Sequence, residues 1–167
     1  WQLWMRGSTR VERGRLDEGE DDLRSALGQL GEASPESVAE GWSRLATAAL
    51  IRRRPDDALA HIETAAAAID GTDYVFVRCM IDALGVRVAA DLAEAGRARR
   101  DQAAVIRAEV FGAVRLAHVR AALAGTLVPG MGIGRVVRTL GAWGLAEASR
   151  LDQLSDPAAW EDAASLL

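Results

Sequence analysis

Apolar residues recur every three or four positions almost from end to end, the spacing of helices that bury one face. The pattern predicts a first helix over residues 1–13, broken by Gly14. A second runs over 17–30, with Leu23, Ala26, Leu27 and Leu30 on one face. Ser34-Pro35-Glu36 predicts the next start, because Ser34 is a good N-cap and Pro35 suits the first helical position. That third helix reaches Arg53. Pro55 opens a fourth with Asp56 and Asp57 at its positive end, running to Asp70-Gly71. Tyr74-Val75-Phe76-Val77 would pass for a strand in isolation, but the spacing of Val77, Ile81, Leu84 and Val88 predicts a fifth helix. Thr72 and Asp73 are placed to cap it, and Gly96 to end it. A sixth covers residues 99–123, with Ile106, Val110, Val114, Ala117 and Ala121 on one stripe. The glycine-rich residues 128–134 read as a loop, a seventh helix covers 135–154, and Asp156-Pro157 starts an eighth.

The fold class is therefore all-α, with seven or eight helices, in one domain spanning residues 1–167. The helices group as hairpins over residues 1–30, 36–70 and 72–124, with final helices over 135–154 and 156–167. Composition strengthens this reading. The chain has 33 alanines, the best helix former, and no lysine, so all 20 basic residues are arginine. That bias marks a GC-rich bacterial coding sequence and carries no function. A net charge of −4 gives no electrostatic footprint for nucleic acid. The single Cys79 excludes an internal disulfide, and Arg107, Arg115 and Arg120 interrupt the longest apolar stretches before they could span a bilayer. A cytoplasmic location is expected. Trp1 at one end and Leu166-Leu167 within an apolar pattern at the other read as a segment of a longer chain.

Two hairpins also repeat in sequence. At a shift of 39 positions Leu3 meets Trp42, Gly7 meets Ala46, Gly14 meets Arg53 and Asp17 meets Asp56. Gly19 then meets Ala58, Leu23 meets Ile62 and Ala26 meets Ala65. Small residues recur where helices must cross closely, and large apolar ones where a core must be filled. A period in this range marks arrays of helical hairpins, an α-solenoid. Within a hairpin the order Trp42, Ala46, turn, Ala58, Ile62, Ala65 resembles the tetratricopeptide pattern. It departs in two places. The late aromatic position of the first helix is Ala49 here and Arg10 in the first pair, and the spacing exceeds 34 residues.

A second resemblance is more particular. Gly14-Arg15-Leu16-Asp17-Glu18-Gly19, Arg54-Pro55-Asp56-Asp57-Ala58-Leu59 and Asp156-Pro157-Ala158-Ala159-Trp160 resemble the helical-repeat region of large LuxR-type bacterial regulators, common in actinobacteria. Those proteins join an ATPase module, a tetratricopeptide-like array and a C-terminal helix-turn-helix. The resemblance implies a non-catalytic sensor or protein-interaction role for this segment, with both the nucleotide site and the DNA-reading helix elsewhere. In such arrays the first helix of each pair lines a concave groove, which implies groove positions Trp4, Ser8, Ser43 and Thr47. Their mix of apolar and small polar groups would suit a peptide or a small inducer ligand. The alternative is a free-standing adaptor that binds a partner peptide in the same groove.

Other candidates have plainer readings. Pro129-Gly130-Met131-Gly132-Ile133-Gly134-Arg135 invites a phosphate-loop reading, which would make the chain a small-molecule-binding enzyme domain. The run follows no strand and lacks lysine, so a helix connector is preferred. His61 and His118 have no neighbour at the i+4 position that would make a metal pair, and no nucleophile sits in a recognisable elbow. No catalysis, cofactor, metal, nucleic-acid or membrane contact is therefore expected of this segment. The arginine clusters Arg52-Arg53-Arg54 and Arg97-Arg99-Arg100 fall at hairpin turns, where solvation and helix C-terminal dipoles account for them. Glu18, Glu20, Asp21 and Asp22 read as a solvated face. Trp1 and Trp4 are expected to form an exposed apolar patch that drives self-association.

Overall fold

The structure is a computed structural model describing residues 1–30, 34–125 and 132–166. The described residues form helices and turns with no strand. The helices are α1 (Gln2–Glu12), α2 (Leu16–Leu30), α3 (Pro35–Ile51), α4 (Pro55–Ala68), α5 (Val75–Arg99), α6 (Gln102–Gly125), α7 (Gly132–Leu151) and α8 (Pro157–Ser165). The all-α expectation holds. The chain groups into two compact units, Trp1–Tyr74 and Val75–Leu167.

Local chemistry sets the helix ends. Pro35, Pro55 and Pro157 each occupy a first-turn position, where the missing N–H costs nothing. Ser34 Oγ accepts from the Ser37 amide at 3.4 Å, and Asp156 Oδ1 from the Ala158 amide at 3.0 Å. The C-termini of α1, α3, α5 and α7 share one device. Gly14, Arg53, Arg100 and Gln153 sit at φ of 77°, 56°, 58° and 63°. In each, that residue's amide donates to the carbonyl three residues back and the next amide to the one five back. The pairs are Gly14–Val11 with Arg15–Arg10, and Arg53–Leu50 with Arg54–Ala49. Arg100–Arg97 with Asp101–Gly96, and Gln153–Arg150 with Leu154–Ser149, follow the same rule. This is the Schellman closure, which favours glycine at the left-handed residue. Gly14 and Arg53 are thus equivalent in conformation as well as in the 39-residue register. Arg53 is exposed and forms no ion pair among the described residues, so Arg53→Gly should relieve the left-handed penalty and stabilise unit 1 by about 1 kcal/mol. Urea denaturation tests this, and an unchanged or lower midpoint would refute it.

In unit 1, α1 runs antiparallel to α2, and α3 packs with α4 as a second hairpin. The first crossing depends on glycine. A Cβ on Gly7 would meet Leu23 Cγ at 2.9 Å and the Gly19 carbonyl at 3.0 Å. The repeat positions play matching parts: Leu23 and Ile62 are fully buried, as are Ala46, Ala58 and Ala65. Trp4, Val11, Leu23, Ala26, Leu45 and Ala48 form a shared core that joins the two hairpins.

Unit 2 is organised around α5, which packs against both α6 and α7, while α8 packs on α7. Ile81, Val86, Val88 and Leu92 of α5 are all buried. Helix α5 continues through Gly96 to Arg99, so Gly96 does not end it. Gly96 instead lets α6 approach, since a Cβ there would meet Val105 Cγ2 at 3.0 Å and the Val105 nitrogen at 3.2 Å.

Candidate functional site

The four groove positions face inward more than outward. Trp4, Ser8 and Ser43 are buried at 8%, 6% and 4% exposure, and only Thr47 is partly open. The Ser43 hydroxyl donates to the Ala39 carbonyl at 2.9 Å, and Thr47 Oγ1 donates to the Ser43 carbonyl at 3.1 Å. Both side chains satisfy themselves on their own helix. Trp4 Nε1 and Ser8 Oγ are buried without a hydrogen-bond partner among the described residues. Trp1 stacks on Trp4 with centroids 5.1 Å apart and planes 9° apart. Of the expected Trp1–Trp4 patch, Trp1 is exposed and Trp4 belongs to the core. Met5 shares the exposed face.

The acidic run on α2 is a correction to the sequence reading. Glu20 and Asp22 are buried, each surrounded by arginine. Asp22 accepts from Arg6 Nε at 2.7 Å and Nη2 at 2.6 Å, and from Arg10 Nη1 at 2.5 Å. The hydrogen bond from Arg6 holds the Asp22 carboxyl below the usual carboxylate range, against an opposing push from burial. Glu20 accepts from Arg24 at 2.9 Å, Arg52 at 2.8 Å and Arg54 at 3.1 Å. Arg52 also pairs with Asp17. Two arginines of the Arg52-Arg53-Arg54 turn are thus spent holding α2 against the second hairpin. At the other cluster, Arg97 donates to the Leu151 and Arg150 carbonyls at 3.3 and 3.4 Å.

The histidines and the cysteine sit in packing and ion-pair contacts. His61 lies against Trp42, with ring centroids 5.3 Å apart. His118 Nδ1 lies 3.3 Å from Asp82 Oδ1, which also accepts from Arg115 Nη1 at 3.2 Å. Asp82 is buried, and its Oδ2 has no partner among the described residues. Cys79 is buried, and burial followed by the nearby Asp82 charge pushes its thiol up to about 11. Such a thiol carries little thiolate near neutrality and is a poor nucleophile. Among the described residues no cluster of three or more His, Cys, Asp or Glu could hold a metal ion. Residues 129–131 of the glycine-rich run lie outside the described residues, while Gly132, Gly134, Arg135 and Arg138 lie within α7. Among the described residues no helix is long and apolar enough to cross a membrane.

The most conspicuous surface is on α6, and periodicity alone could not orient it. The residues that α6 buries are Ala104, Val105, Ala108, Gly112 and Val119. The stripe read from the sequence faces outward instead: Ile106, Val110 and Val114 are 52%, 62% and 50% exposed. Ala103, Ala113, Ala117 and Ala121 are exposed with them. The series Ala103, Ile106, Val110, Ala113, Ala117 advances by alternating three and four residues, the spacing of a helix–helix seam. The strip is an apolar face left exposed on a water-facing helix. Comparison with known proteins finds no matching family model, no matching curated protein and no matching solved structure.

Proposed function

We propose that this chain is a non-catalytic sensing and protein-interaction region of a multidomain LuxR-type transcriptional regulator, arranged as a tetratricopeptide-like α-solenoid. The observation that carries the interaction reading is the apolar stripe Ile106–Val110–Val114 on α6. A water-exposed seam with helix spacing is suited to an apolar helix of a partner protein, and its alanines would let the two backbones approach closely. The regulator parentage rests on the sequence resemblance described above. The buried Cys79 and the self-satisfied Ser43 and Thr47 favour binding over chemistry. Regulation would require the partner or inducer to prefer one of two states of the whole protein, since equal affinity for both shifts nothing.

The test of parentage is the coding sequence on both sides of this segment. A phosphate-binding loop before it and a helix-turn-helix after it are the expected result. A short reading frame with neither would overturn the regulator reading in favour of a free-standing adaptor.

A further inference from the structure

A recess of about 340 Å³ opens on unit 1 beside α2 and α3, lined by Arg24, Leu27, Gly28, Val38 and Trp42. Its size falls at the lower end of sites that hold small molecules. Leu27, Val38 and Trp42 are half-buried and supply apolar walls. The polar part of the lining is one-sided. Arg24 Nη2 donates to Glu20 at 2.9 Å, and its Nε and Nη1 have no acceptor among the described residues. The indole Nε1 of Trp42 has none among the described residues either. Glu20 must also answer Arg52 and Arg54, so one carboxylate faces three guanidinium groups. The side chains of the recess therefore offer donors and a positive charge but no acceptor. The imidazole of His61, stacked behind Trp42, adds no cation. Burial, and then the field of Arg24, lower its pKa.

A ligand that matches this lining brings an acceptor, a negative charge and an apolar body. We propose that the recess binds a small organic carboxylate, with its carboxylate at the free guanidinium edge of Arg24 and its apolar body against Leu27, Val38 and Trp42. The second face of a guanidinium is suited to a carboxylate, and a charge-assisted pair of this kind is stronger than a neutral hydrogen bond. Gly28 provides a clean way to close the site. A Cβ there meets nothing within 4 Å, so a larger side chain enters open space and not the fold. This site uses different residues from the α6 surface, so either reading can fail alone.

The experiment is a titration of the ¹⁵N-labelled 167-residue chain, followed at the tryptophan indole N–H resonances. Trp42→Phe assigns its signal. The probes are 4-phenylbutanoate and its uncharged amide. The acid should move the Trp42 resonance saturably, and the amide should bind about tenfold more weakly or worse. Arg24→Gln should cost the acid about tenfold and leave the amide unchanged. Gly28→Leu should abolish binding of both with an unchanged circular dichroism spectrum. The proposal is overturned if the acid leaves the Trp42 signal unmoved, or if acid and amide bind alike. It is equally overturned if the Gly28→Leu chain binds as the parent does.

Discussion

Arg150→Met is expected to destabilise unit 2 by about 3 kcal/mol. Arg150 binds three carboxylates at once: Nη2 donates to Asp91 at 2.7 Å and Glu94 at 2.9 Å, and Nη1 to Glu147 at 2.6 Å. Burial opposes the guanidinium charge, but the hydrogen bonds to Glu94, Asp91 and Glu147 outweigh it and raise the pKa. The side chain of Glu147 is only 4% exposed. Methionine preserves much of the stem packing but leaves that carboxylate with Trp143 Nε1 at 3.1 Å and Arg87 at 3.9 Å. Breaking one side of a buried pair strands a charge, and this stranding is the main cost. Urea unfolding of Arg150→Met, Glu147→Gln and the double variant measures it, with hydrogen exchange assigning the loss to α5 and α7. The double variant should lose clearly less than the sum of the singles. A single-variant loss below about 1 kcal/mol would mean that the cluster behaves as exposed surface pairing.

The second large effect lies in the crossing of α1 and α2. Gly19→Ala places a Cβ 2.8 Å from Val11 Cγ2 and 3.0 Å from both the Gly7 carbonyl and the Val11 amide nitrogen. Two of those atoms are backbone, so relief requires the helices to separate. Alanine improves helix propensity by about 1 kcal/mol, and the overpacking should exceed that gain, for a net loss of about 2 kcal/mol. Gly28→Ala, on the same helix with open space around its Cβ, should instead gain up to about 1 kcal/mol. Thermal unfolding of the two variants should shift in opposite directions. If both stabilise, the close crossing is not a determinant of unit 1.

The contrast between these two glycines shows what was legible. The helix starts at Pro35, Pro55 and Pro157 follow from chemistry within four residues, as does the N-cap at Ser34. The 39-residue register correctly paired Leu23 with Ile62, both buried, and Gly14 with Arg53, both left-handed. Both signals are local or repeated, so one chain suffices to read them. Glu20 and Asp22 were not legible as buried because the partners of Glu20 include Arg52 and Arg54, 32 and 34 positions away. An acidic residue beside such distant cations has the same local pattern as one in solvent. Helix α6 carries apolar residues on every side, so its period could not decide which stripe would meet α5. The recess at Arg24 escaped for a related reason, since Arg24, Val38 and Trp42 meet only after α2 and α3 are placed. Of the groove positions, only Thr47 presents partly open surface, because packing buries Trp4, Ser8 and Ser43.

The most direct test of the account is the accessibility of the α6 stripe in the protein as its own gene encodes it. Cys79 is buried and its thiol is pushed up to about 11, so a cysteine introduced at Val110 would be the reactive one. Glu63→Cys, on an exposed position of α4, serves as the reference. In the purified 167-residue chain the two thiols should react with a membrane-permeant maleimide at similar rates. In cells the Val110→Cys thiol should be protected by about tenfold or more while the reference is not, as expected of a covered helix seam. Equal labelling of both positions in cells would leave the stripe uncovered and contradict the interaction reading.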